Sequence, residues 1–168
     1  AIMLFDRKEK RLNALKRFHR RELLRLGARE ILEEASNDIV AAELAWLADA
    51  VVEAALRIAL DDLQRHAGRR IDPGLAVIAL GKCGGEELNF SSDIDLMFVY
   101  GRDGDLPAAI DGAHTIHELC VRLVESMVKM LTEHSEEGYL YRVDLRLRPD
   151  GNAGPVAMSR AAFLSYYE

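Results

Sequence analysis

Residues 81–96 read Gly-Lys-Cys-Gly-Gly-Glu-Glu-Leu-Asn-Phe-Ser-Ser-Asp-Ile-Asp-Leu and hold the densest chemical signal in the chain. Asp93 and Asp95 stand two residues apart at the entry to an apolar run, so in an extended segment both carboxylates project to the same side. Two like charges so placed ionise together only at a cost, unless something positive lies between them. A hard divalent cation, Mg²⁺ or Mn²⁺, suits carboxylate oxygens and keeps positions open for water and phosphate oxygens. Taken alone, Ser-Asp-x-Asp is better read as a polar strand entry whose side chains cap backbone groups. Its neighbours shift that balance. Gly81, Gly84 and Gly85 follow directly on another apolar run, a turn whose N–H groups can approach an anion, and Lys82 adds a point charge. The loop fits neither G-x-x-x-x-G-K-[ST] nor G-x-G-x-x-G. A third carboxylate, Asp144, is flanked by Arg142 and Arg146, with Arg148 just beyond. If the strands bearing Asp95 and Asp144 are neighbours, three carboxylates converge. Such a set can hold two metal ions about 3.5–4 Å apart and clamp the oxygens of an in-line phosphoryl displacement, while guanidinium groups neutralise the transferring phosphate.

The elements that must position these residues are legible from periodicity. Residues 75–80 (LAVIAL) and 94–100 (IDLMFVY) read as short apolar strands of the kind found centrally in a sheet. Residues 139–147 alternate, with Tyr139, Tyr141, Val143, Leu145 and Leu147 on a packed face and Arg142, Asp144 and Arg146 on a charged one. Upstream, residues 6–34 carry Leu12, Leu15, Phe18, Leu23 and Leu26 at helical spacing. Ser36 and Asn37 offer caps for a second helix with the stripe Val40, Leu44, Leu47, Val51 and Ile58, which Gly68 stops. The short link predicts an antiparallel hairpin. Ile110, His117, Val121, Val124, Val128 and Leu131 predict a third helix ended by Gly138, and a short helix follows from Ser159. The chain is therefore α+β.

Composition bounds the function. The 168 residues, 49 % apolar and 30 % charged, suffice for a compact core and exclude a disordered chain. No segment approaches the ~18 apolar residues that cross a bilayer. The opening Ala-Ile-Met-Leu-Phe is too short for a secretory signal, and Cys83 and Cys120 form no disulfide framework, so a cytoplasmic location with no membrane association is expected. The net charge of −6 argues against nucleic-acid binding. Residues 1–35 hold 10 Lys/Arg against 6 Asp/Glu, and the remainder 12 against 22. The basic run Lys8, Lys10, Arg11, Lys16, Arg17, Arg20, Arg21 and Arg25 is best read as a solvated helix face paired with nearby acids. His114, His117 and Cys120 suggest zinc only weakly, since three-residue steps drift around a helix; a core-facing His117 and a partly exposed His114 fit better. Cys83 has no base beside it to make a nucleophile. Trp46 is expected to pack between the hairpin and its neighbour.

The pattern G-K-x-G-G-x-E-L-x-x-x-S-S-D-x-D-L resembles the active-site signature of the DNA polymerase β-type nucleotidyltransferases, and within them the glutamine synthetase adenylyltransferase/adenylyl-removing family. Residues 141–149 (YRVDLRLRP) with the following Gly-x-x-Gly-Pro, and residues 17–25 (RFHRRELLR), resemble that family too, so the likeness covers nearly the whole chain. It implies a nucleotidyltransferase fold, a small mixed β-sheet with flanking helices, with residues 1–70 as an N-terminal helical hairpin and residues 71–168 as the catalytic core. It makes Asp93, Asp95 and Asp144 the catalytic metal ligands for Mg²⁺ or Mn²⁺. Gly81 and Ser92 would contact nucleotide phosphates, with Lys82 and Arg146 assisting. Cys83 stands where the family usually has a larger apolar residue.

The resemblance also implies partners: glutamine synthetase as protein substrate, ATP or ADP, inorganic phosphate, and the PII signal protein in a full-length enzyme. One half of the family enzyme attaches AMP from ATP to a tyrosine of glutamine synthetase; the other removes it by phosphorolysis, yielding ADP. Asn89-Phe90 and Gly154-Pro155-Val156 resemble the removing half. The alternatives are the adenylylating half and a non-catalytic sensory or docking domain on the same fold, which would be expected to have lost a carboxylate. Family members are far longer, so these residues are expected to be a core cut from a larger enzyme.

Overall fold

The structure, a computed structural model, describes residues 7–168. Asp6 and the apolar stretch before it, on which the absence of a signal was argued, lie outside them. Helix α1 (Lys8–Ile31) and helix α2 (Asn37–Ala67) form the expected antiparallel hairpin. Cross-helix ion pairs record the direction: Lys8 meets Asp62 at 2.8 Å at the open end, and Arg29 meets Glu43 at 2.6 Å near the turn. Ser36 occupies the N-cap position of α2 without a side-chain capping bond, and Gly68 ends the helix in the left-handed conformation at φ 63°.

Two expectations about the hairpin are corrected. Arg11 and Lys16 are buried, not part of a solvated face. Lys16 is 2 % exposed, and its ammonium donates to the Glu133 carbonyl at 2.7 Å and to Ser135 Oγ at 3.0 Å. A long aliphatic stem crosses apolar surface at little cost and delivers its charge to polar acceptors beyond it. Trp46 is 55 % exposed, because the packed face of α2 is taken by Leu44, Leu47, Ala48, Val51 and Ala55. Small alanines there let the helices approach and leave no place for an indole.

Strand β1 (Leu75–Leu80) leads into a single helical turn, α3 (Gly81–Gly84), and then β2 (Ile94–Tyr100). β1 pairs antiparallel with β2 from Leu75↔Tyr100 to Leu80↔Asp95. It is an edge strand of this sheet, not a central one; β2 takes the centre and is the more buried. Next come β3 (Asp105–Ile110) and β4 (Ala113–Thr115), a hairpin turned by Asp111-Gly112, both at positive φ. Ile110 belongs to β3 and not to the third helix. That helix, α4, is Ile116–Thr132, opened by a Thr115/Glu118 capping box. The tail holds β5 (Val143–Asp144), β6 (Met158–Ser159) and α5 (Arg160–Tyr167), the last capped by Ser159 as expected.

β5 and β6 both pair parallel with β2, on the edge opposite β1, so the sheet is small and mixed. The long alternating strand expected over residues 139–147 contracts to two paired residues, and Tyr139 and Leu147 are exposed. Ile94, Leu96, Phe98 and Tyr100 share one core with Leu15 and Leu26 of α1, Val51 of α2 and Met127 and Leu131 of α4. The intervening residue Asp95 therefore points to the opposite face of the sheet. Among the described residues no helix is long and apolar enough to cross a membrane.

Candidate active site

Asp95 and Asp144 are register partners in the parallel β2–β5 pair, so their carboxylates stand side by side on the sheet face turned away from the helices. On the other edge of β2, Asp95 is the register partner of Leu80, and Gly81 follows it at φ +54°. A β-carbon on Gly81 would collide with the Asp95 carboxylate. Glycine is thus required twice, for its backbone conformation and for the space its neighbour occupies. α3 leaves Gly81, Lys82, Gly84 and Gly85 exposed while Cys83 and Leu88 anchor the loop in the core.

Asp93 lies just before β2, held by Arg142, whose Nε donates to Asp93 Oδ1 at 2.5 Å and whose Nη2 donates to the Ser91 carbonyl at 2.6 Å. The Ile94 N–H donates to the Arg142 carbonyl at 3.0 Å, so main chain and side chain together fasten residues 91–94 to the strand bearing Asp144. Ser92 closes the turn before the strand: its N–H donates to the Asn89 carbonyl at 3.1 Å and its Oγ accepts from the Asn89 N–H at 3.4 Å. Phe90 lies over Gly27 of α1, which ties the loop to the hairpin.

The electrostatics are those of crowded anions with local counter-ions. The Asp95 carboxyl is raised above its usual range, first by burial and then by the charges of Asp144 and Asp93, with Arg146 opposing. Asp144 is held down to about 2 by hydrogen bonds from Arg146, side chain first and main chain second. Arg146 Nε lies 2.8 Å from Asp144 Oδ2, and its main-chain N–H donates to Oδ1 at 2.8 Å. Burial pushes the Cys83 thiol up to about 11, which makes it a packing group and not a nucleophile.

The structure thus brings Asp95, Asp144, Gly81 and Arg146 together, with Asp93 and Ser92 at the strand entry and Lys82 exposed on the adjoining turn. Arg148 does not join them. It is buried and donates to the carbonyls of Leu145, Gly154 and Pro155, organising the loop instead. The clamp by Arg142 on Asp93 was not drawn from the sequence, although the alternation of residues 142–146 already placed Arg142 on the acidic face.

His114 is exposed, His117 Nδ1 meets the Tyr100 hydroxyl at 3.0 Å, and Cys120 is buried. Among the described residues no three His, Cys, Asp or Glu side chains are arranged to hold a metal ion. Guanidinium groups pair with two of the three carboxylates, Arg142 with Asp93 and Arg146 with Asp144. The donor set nonetheless suits a hard cation, being all oxygen and carrying a repulsion at Asp95 that positive charge relieves.

A central strand presenting paired carboxylates beside a glycine turn, in a small mixed sheet backed by helices, defines a nucleotidyltransferase-type fold. The family model for glutamate-ammonia ligase adenylyltransferase matches residues 1–168. The bifunctional glutamine synthetase adenylyltransferase/adenylyl-removing enzyme of Cutibacterium acnes is 40 % identical over 153 residues, covering 89 % of this chain and 15 % of that protein. The enzymes of that name from Methylococcus capsulatus and Burkholderia pseudomallei are 38 % and 35 % identical, over 94 % and 84 % of this chain and 17 % and 16 % of theirs. The chain belongs to the glutamine synthetase adenylyltransferase family, and it spans 15–17 % of the length of these relatives.

Proposed function

We propose that this chain carries the reaction centre of a metal-dependent nucleotidyltransferase acting on glutamine synthetase, in the direction that removes AMP from its modified tyrosine. The observation that supports a phosphoryl-transfer site is the pairing of Asp95 with Asp144 in register, against a glycine that leaves room for nothing but the carboxylate. Asp93, Asp95 and Asp144 are the ligands for Mg²⁺ or Mn²⁺, which when bound neutralises and orients phosphate oxygens. Arg142 fixes the position of Asp93. The exposed Gly81 turn and Lys82 receive the phosphates, and the Ser92 hydroxyl, oriented by the Asn89 N–H, donates to them. In the removing reaction an oxygen of inorganic phosphate bonds to the phosphorus of the AMP group. The bond from that phosphorus to the tyrosine oxygen breaks, giving ADP and a tyrosine hydroxyl that regains its proton.

The removing direction rests on Asn89-Phe90 and Gly154-Pro155-Val156, which resemble that half of the family. The test supplies the protein with Mg²⁺ and either adenylylated glutamine synthetase plus phosphate, or unmodified glutamine synthetase plus ATP. ADP release in the first mixture is expected. AMP transfer in the second with none in the first would assign the adenylylating direction, and inactivity in both would remove the catalytic reading.

A further inference from the structure

The two arginines that neutralise the outer carboxylates are held in different ways. Arg142 is fastened at several points: its guanidinium bridges Asp93 and the Ser91 carbonyl, and its own carbonyl accepts from the Ile94 N–H. Releasing it would undo the strand entry. The Arg146 side chain bonds to Asp144 alone among the described residues, and it is 72 % exposed whereas the Asp144 side chain is 14 % exposed. The main-chain N–H of Arg146 independently holds Asp144 Oδ1 at 2.8 Å. Swinging the guanidinium away therefore leaves the carboxylate aimed as before and breaks no other hydrogen bond; what is lost with it is the attraction of Arg146 for Asp93 and Asp95, which a cation at the same place restores.

We propose that Arg146 is an exchangeable counter-ion, whose guanidinium neutralises Asp144 until a divalent cation takes that carboxylate and then turns to the phosphate oxygens of the substrate. The proposal rests on the assignment of Asp95 and Asp144 as metal ligands and adds a residue that competes with the metal in one state and assists the substrate in the other. A planar guanidinium matches a carboxylate and a phosphate with the same two-pronged geometry, so one side chain serves both partners without remodelling. Its solvent exposure keeps the pair weak enough to exchange.

The experiment titrates Mn²⁺ into the metal-free protein and into Arg146→Gln, following free Mn²⁺ by electron paramagnetic resonance. Removing the competitor is expected to tighten Mn²⁺ binding by about three- to tenfold, the range set by a two-pronged ion pair of which only the guanidinium is exposed. At saturating Mn²⁺ the same variant is expected to bind ADP more weakly than the wild type. Arg146→Lys, which keeps the charge and loses the two-pronged fit, should fall between them on both measures. Mn²⁺ binding to Arg146→Gln that equals or falls below that of the wild type would overturn the exchange while leaving the metal site standing. Absence of Mn²⁺ binding in both proteins would overturn the metal assignment and the exchange with it. Because side-chain exposure makes the variant a surface change, melting in chelator confirms that it is folded. Its melting temperature should rise more on Mn²⁺ addition than that of the wild type.

Discussion

At the far end of β2 the Tyr100 hydroxyl donates to Asp103 Oδ1 at 2.6 Å and lies 3.0 Å from His117 Nδ1, with the Ser159 hydroxyl completing the group. At the near end Asp95 faces Asp144 and Asp93, and burial and like charge together raise its carboxyl. Both ends are polar and both adjoin the same core. The Tyr100 end satisfies its own hydrogen bonds, whereas the Asp95 end repels itself and is only partly offset by Arg142 and Arg146. A self-satisfied polar cluster specifies the packing of β2 against α4 and β6. A cluster in conflict, with burial and like charge displacing a carboxyl from its ordinary range, is the arrangement expected of a functional site.

The contrast can be broken at either end. Asp144→Asn is expected to lower AMP removal by about 10²–10³-fold, the scale of losing one preorganised charge at a reacting phosphate, measured as ADP release from adenylylated glutamine synthetase. Gly81→Ala places a β-carbon where the Asp95 carboxylate sits; displacing a reacting group by about 1 Å costs on the order of 10²-fold, read in the same assay. Its left-handed backbone adds ~1–2 kcal/mol of destabilisation, measured by urea unfolding. Tyr100→Phe acts oppositely: it should cost about 1–2 kcal/mol of stability from lost buried hydrogen bonds and leave activity per folded molecule unchanged.

A smaller effect concerns acid. His19 is buried and its imidazole is pushed down to about 4 by desolvation, from an ordinary value of 6.5. The unfolded chain therefore binds more protons than the folded one between those values, so stability is lost as the pH falls from 6.5 towards 4. His19→Phe should flatten the melting temperature over that window, and an unchanged slope would place the acid sensitivity elsewhere.

How far the sequence carried depends on the kind of signal. That Asp95 and Asp144 could meet was readable on the condition that their strands are neighbours, and the structure supplies that pairing over two residues; Asp93 lies before β2, where strand alternation does not place it. The β3–β4 hairpin was missed because Ile110 fell into register with the helical stripe of α4, while Asp111-Gly112, a two-residue hairpin signature, went unweighed. β1 read as central because an apolar run does not reveal how many of its edges are paired. The burial of Lys16 was invisible, since charge gives no hint of where a long side chain finds its acceptors: they lie more than a hundred residues away. The Arg146–Asp144 pair was written in a two-residue spacing, but that spacing carries no sign of which arginine can let go.

The most direct test is Asp95→Asn, with thermal melting and phosphate-dependent ADP release measured on the same preparation. Replacing the carboxylate by an amide of equal size removes the repulsion with Asp144 and Asp93. The melting temperature is therefore predicted to hold or rise while ADP release disappears. A lower melting temperature with turnover retained would contradict the account, for it would make Asp95 a structural residue and move the reaction centre away from this end of the sheet.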